Sequence, residues 1–240
     1  MKKLFYFLSL ILAVSFTSCE LDNYDEPNIN LTGTVNYNGR PIYVRNNQVI
    51  MHLYEEGWEL SSSTYMNVQV AQDGTFSAGV YGGKTYRLVR VANMGPWVNP
   101  TEDDAIIIDN YDGREINVEV TPYYLLDNAT ITCSGRQVTG TCTITEVTPG
   151  QTIEKVGLYV GRNIIVDDTR NLGQGGYTEQ STDLAGGQTV TLNVDLSGFS
   201  INSTNNSLPQ TGFVYARMGL KISGIDAMIF TEPIQIQFDK

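Results

Sequence analysis

The chain is poor in the residues on which most enzyme chemistry depends. It has one histidine, His52, and three cysteines in 240 residues. A single imidazole removes most hydrolase triads and most zinc sites. There is no Gly-x-Ser-x-Gly elbow, no His-Glu-x-x-His, no phosphate loop and no Gly-rich dinucleotide turn. The cysteines show no Cys-x-x-Cys spacing. Two carboxylates would suffice for a glycosidase, but short-turn β architecture offers no deep cleft to hold them. No catalytic residue, cofactor or metal is therefore expected, and the chain reads as a non-enzyme. Basic residues are also scarce, with 15 Lys and Arg against 26 Asp and Glu, a formal charge of −11. Such a surface repels nucleic acid phosphates. Long apolar runs are missing except for one, Leu4 to Phe16, interrupted only by Ser9 and Ser15. That is shorter than the roughly 20 residues a membrane helix needs.

What is present begins with that run. Behind Lys2 and Lys3 it fits the core of a secretory signal. Thr17 and Ser18 then precede Cys19, the pattern of a lipidated bacterial cysteine. Residues 1–18 are expected to be a signal peptide and Cys19 the lipid-anchored residue. Loss of the two leader lysines takes the formal charge from −11 to −13. Residues 19–30 are an acidic tether without amphipathic period.

From residue 31 onward the pattern is strand and turn. Leu31 to Tyr37 alternates, and Asn38-Gly39-Arg40-Pro41 is a hairpin signal. Val49, Met51 and Leu53 share one face of a second strand, which puts His52 on the other as a surface residue. Asp73-Gly74 and Asp112-Gly113 mark further turns. Pro122, which cannot donate to a ladder, divides the chain. Beyond it, strands are expected at 129–133, 138–147, 153–160, 189–196, 213–222 and 234–238. In the clearest, Val214, Ala216, Met218, Leu220 and Ile222 line one face, and Phe213, Tyr215, Arg217 and Lys221 the other. The fold class is all-β, two small antiparallel β-sandwiches in tandem over 31–121 and 122–240. The long stretches 171–187 and 197–211 lack apolar period, and loops of that length tend to be functional. Tyr177 and Phe199 are their aromatic residues.

The only tryptophans are Trp58 and Trp97. Each could cover the C–H face of a sugar ring, with Asn99 bonding hydroxyls, or could close an end of the first sandwich. The acids Glu102, Asp103, Asp104, Asp109 and Asp112 offer hard oxygen ligands for Ca²⁺ without EF-hand spacing. Cys133 and Cys142 could pair in an oxidising compartment. A tight hairpin at 134–137 would instead set Cys133 opposite Val138, leaving two separate thiols.

Cys19-Glu20-Leu21-Asp22-Asn23-Tyr24-Asp25-Glu26-Pro27, Met94-Gly95-Pro96-Trp97 and Val120-Thr121-Pro122-Tyr123 resemble a Bacteroidetes outer-membrane lipoprotein family of unknown function. Its genes often lie in polysaccharide-utilisation loci beside outer-membrane transporters. The first half, through Gly33-x-Val35, Asn38-Gly39-Arg40-Pro41, Asp73-Gly74-Thr75-Phe76 and Gly83-Lys84-Thr85-Tyr86, is similar to carboxypeptidase-regulatory and transthyretin-like domains; the second half looks immunoglobulin-like. The resemblance implies a cell-surface lipoprotein with Glu20, Asp22, Asp25 and Glu26 as export signal, and a role in glycan capture. The partners it implies are a polysaccharide or oligosaccharide and a transporter complex. The alternatives are an assembly lipoprotein that binds no sugar and a calcium-dependent adhesion module.

Overall fold

In the computed structural model the described residues are 26–57 and 64–240. Cys19, Glu20, Asp22, Asp25 and Trp58 lie outside them; Glu26 is exposed. The described chain is all-β, with a single 3-10 turn at Glu102–Asp104. The first domain contains β1 (Ile29–Tyr37), β2 (Arg40–Pro41), β3 (Tyr43–Val44), β4 (Ile50–Glu55), β5 (Met66–Gln69), β6 (Thr75–Val80), β7 (Tyr86–Arg90), β8 (Ile106–Ile108) and β9 (Ile116–Glu119). The second contains β10 (Tyr124–Ser134), β11 (Gln137–Glu146), β12 (Ile153–Gly161), β13 (Tyr177–Gln180), β14 (Thr189–Asp195), β15 (Phe213–Ile222), β16 (Ile229–Phe230) and β17 (Ile234–Gln237).

In the first domain β1 is flanked by β6 and β2, with β9 beside it in parallel; a second sheet runs β5-β4-β7-β8. Leu31, Val35 and Val118 of the first sheet and Met51, Leu53 and Leu88 of the second are buried in one core. The Asn38-Gly39 turn forms as expected, with both residues at positive φ, 51° and 73°. At Gly33 a side chain is excluded by packing: a Cβ would lie 2.1 Å from the Ile116 carbonyl and 2.3 Å from the Phe76 ring.

The second domain pairs β10-β11-β14 in one sheet and β13-β12-β15 in another, which β16 and β17 extend. The outward face of β11 and β14 is a polar ladder, Thr139–Asn193, Thr141–Thr191 and Thr143–Thr189. Such cross-strand pairs set register on a solvated face. β10 and β11 turn tightly, with Cys133 opposite Val138 and Ser134 opposite Gln137. That geometry keeps Cys133 from facing Cys142, and both thiols are free. Of the two arrangements open to them, the cysteines take that of two separate thiols and not a disulfide; burial pushes the Cys142 thiol up to about 12.

The domains are welded. β3, from the first, pairs with β16 of the second through Val44–Ile229 and Tyr43–Phe230. Over this seam lies Arg217, on the outward face of β15 yet fully buried. Its Nη1 donates to Gln72 Oε1 at 3.1 Å and Val166 O at 3.4 Å, and its Nη2 to Val44 O at 3.4 Å. The guanidinium sits 4.1 Å from the Phe230 ring centroid. Burial pushes its pKa down to about 9, opposed by the nearby charges of Asp167, Tyr43 and Asp168. It therefore stays a cation at neutral pH. Beside it, Arg45 bonds Asp168 through both nitrogens of its fork, Nε at 2.8 Å.

Removing this guanidinium strands three acceptors, two of them buried carbonyls, and leaves a cavity. Arg217→Ala is expected to lower unfolding free energy by about 3 kcal/mol or more, read as a leftward shift of the urea transition. An unchanged midpoint would contradict the weld.

Candidate functional site

The expected tryptophan platform does not form around Trp97. This residue is 2% exposed, bridged to Pro122 at the domain junction. Its ring lies so close on Gly95 that a Cβ there would meet it at 2.1 Å. Asn99 is not aimed at a ligand either. Its Oδ1 accepts from Asn93 N at 2.7 Å and its Nδ2 donates to Asn93 Oδ1 at 2.9 Å, closing the loop. Trp97 is therefore core, because the loop that carries it folds back against the second domain's first residues. The acids beyond it are also engaged locally. Asp104 accepts from Thr101 N and Oγ1 and lies 3.6 Å from Arg90; Asp112 bonds Arg114. Among the described residues no group of three or more His, Cys, Asp or Glu is placed to hold a metal ion.

The aromatic surface of this domain lies instead on the outward face of the β5-β4-β7-β8 sheet. Burial of Met51 and Leu53 turns His52 and Tyr54 outward, and burial of Tyr86 and Leu88 does the same for Arg87 and Val89. Register then aligns the rows. His52 lies opposite Asn67 and Val89, Tyr54 opposite Arg87, and Arg87 opposite Ile107. Tyr65, just before β5, stacks on His52 with centroids 3.6 Å apart and planes 14° from parallel. Tyr54 is 5.6 Å from Tyr65, and the Arg87 guanidinium stands 4.2 Å over Tyr54. Tyr65 is 40% and Ile107 56% exposed.

Among the outward positions of these four strands there is no carboxylate, in a chain with 26. Asn67, opposite His52, and Gln69, opposite Ile50, are exposed on the same face. Tyr65 also reaches the rim of an apolar pocket of about 210 Å³ between Leu53, Met66, Val80 and Tyr86. The array can cover an apolar ring face and offer donors and acceptors at its edge. Sequence alternation placed His52 outward; Met66, Val68 and Val70 alternating with Asn67 and Gln69 also carry a strand signal, which the expected strands omitted, while Tyr65 stands just before that strand and outside its period.

Partial burial lowers the His52 pKa from its ordinary value of about 6.5. A base depressed in the folded state contributes stability fully above that ordinary value, lost as pH falls through the folded pKa. The single imidazole is expected to titrate by NMR below 6.5 and to move back up in Tyr65→Ala. A normal midpoint in the parent would argue against the stack.

With this geometry in hand, comparisons with known proteins define the family. No curated protein matches the chain. Among solved structures, a DUF3823 family protein from Parabacteroides merdae is 31% identical, with 89% of this chain and 100% of that chain covered and a TM-score of 0.75. One from Bacteroides ovatus is 24% identical, over 88% and 100%, with a TM-score of 0.73. A Bacteroides uniformis protein described as a candidate carbohydrate-binding protein is 15% identical, over 88% and 100%, with a TM-score of 0.67; at that identity the likeness is one of fold. Family models match residues 29–121, the N-terminal domain of a protein of unknown function, DUF3823, and 124–235, the DUF3823 C-terminal domain of unknown function. Both domains, in the order that defines it, place this chain in the DUF3823 family.

Proposed function

We propose that the protein is a non-catalytic, lipid-anchored accessory protein at the outer surface of the bacterial outer membrane, and that it captures glycan. The observation that carries the binding part is the outward array of Tyr65, His52, Tyr54 and Arg87 on a sheet face whose described strand positions hold no carboxylate. Pyranose rings present C–H faces to aromatic rings and hydroxyls to amides and guanidinium groups, and this face supplies all three. The fold shared with a candidate carbohydrate-binding protein supports the same reading. The anchored part is supported by the leader and Cys19, with the acids Glu20, Asp22, Asp25 and Glu26 as surface signal. Two or three acyl chains hold a protein stably where one would not.

Retardation in gels containing polysaccharide tests the binding. Tyr54→Ala and Tyr65→Ala are expected to weaken it at least tenfold while leaving the melting temperature within a few degrees; retention equal to the parent in both variants would refute the platform. For the anchor, Cys19→Ala should abolish incorporation of labelled palmitate and release the protein from the membrane fraction. Labelling that persists in this variant would place the lipid elsewhere.

A further inference from the structure

The second domain holds another built surface, independent of the sheet face. After β12 the chain enters a loop whose first side chain, Arg162, fastens the 202–207 segment. Its Nη1 donates to the carbonyls of Asn202 at 3.2 Å, Thr204 at 2.6 Å and Ser207 at 2.7 Å, and to Ser207 Oγ at 2.9 Å. All of these bonds converge on one nitrogen, so anchoring the segment does not consume the rest of the fork. Among the described residues no carboxylate pairs with Arg162. The next residues, Asn163 and Ile164, then form one wall of a groove of about 450 Å³. Its other wall includes Thr211, Phe213 and Tyr215. The two rings meet edge to face, 5.9 Å apart at 90°, and the Tyr215 hydroxyl lies 3.2 Å from Gln235 Oε1. A second groove of about 560 Å³ shares Arg162, Asn163 and Ile164 and continues past Asn171 and Asn205. Neither groove is lined by Asp or Glu. Ile164 is 53% exposed although its carbonyl is tied to the first domain through Gln72 Nε2 at 3.0 Å.

We infer that this groove is a second glycan site, selective for a saccharide that bears a carboxylate. Phe213 and Tyr215 cover the apolar face of one sugar ring. Asn163 and Thr211 bond hydroxyls. Arg162, a planar donor fork without a carboxylate partner, receives the uronate. In a chain of charge −11, the absence of acids from both grooves is what makes an anionic ligand tolerable there. The inference shares the glycan reading with the sheet face but rests on different residues.

The test uses the full chain in detergent, titrated with polygalacturonate and with the same polymer after reduction of its carboxyl groups. Binding to the native polymer is expected, weakened by salt and at least tenfold weaker after reduction. Tyr215→Ala and Asn163→Ala are expected to reduce it at least tenfold, and Thr141→Ala, on the solvated ladder of β11 and β14, to leave it unchanged. Arg162→Lys keeps a charge but not the fork and should also weaken binding; because Arg162 secures a loop, its variant is read beside a thermal melt, and the Tyr215 and Asn163 variants decide if it unfolds. Equal binding of the reduced polymer overturns the carboxylate selectivity. Binding lost in Tyr65→Ala and kept in Tyr215→Ala overturns the second site while leaving the sheet face standing. No binding of polygalacturonate, alginate or a glucuronate-bearing xylan overturns it outright.

Discussion

A buried guanidinium couples the two halves of this molecule. Within the second domain alone, Arg217 has only the Val166 carbonyl and the Phe230 ring beside it. Here Val44 and Gln72 from the first domain and Val166 from the loop after β12 close over it. A charge taken out of water is costly unless its donors are satisfied, and its Nε has no partner among the described residues. The cost is met by carbonyl oxygens, the Phe230 ring and the field of Asp167 and Asp168. Such a site tolerates few alternative arrangements of the domains, since any shift would leave the cation without acceptors.

The same closure builds the surface around it. Asp167 takes bonds from Thr169 and Arg170, which hold its carboxyl below the usual range although burial alone would raise it. Asp168 receives the Arg45 fork. These two neighbours fix the loop that carries Arg162 to Ile164, so the groove in the second domain depends on side chains from the first. Tyr159, Val166, Met228 and Phe230, with Tyr43 and Tyr215 packed against them, form a small second core on this outward side. One end of that cluster is capped by the first domain; its other end, through Tyr215, opens into the groove.

Among the described residues, the strand positions of the first aromatic surface and the lining of the second hold no Asp or Glu, on a chain of charge −11. On the first, aromatic and amide side chains accompany a single guanidinium. On the second, an arginine held by carbonyls accompanies two rings at right angles. Each of these two places combines aromatic rings and amide side chains with a guanidinium group.

Much of the fold was legible in the chain. The inward alternation of Val214 to Ile222, the Asn38-Gly39 turn and the Pro122 break are local matters: strand period and turn chemistry act over a few residues. Of the two stretches expected to be loops, 171–187 contains β13 (Tyr177–Gln180), while Asn171, Asn205 and Thr211 from them line the grooves. Tertiary structure alone decided which outward side chains stay outward. Arg217 and Tyr215 share a face of one strand, yet the first is buried by residues 145 and 173 positions away and the second borders a groove. Trp97, which could serve as platform or as packing, is core for the same reason. Alternation states which side of a strand a residue takes; what lies over that side is set by distant chain, and no local pattern records it.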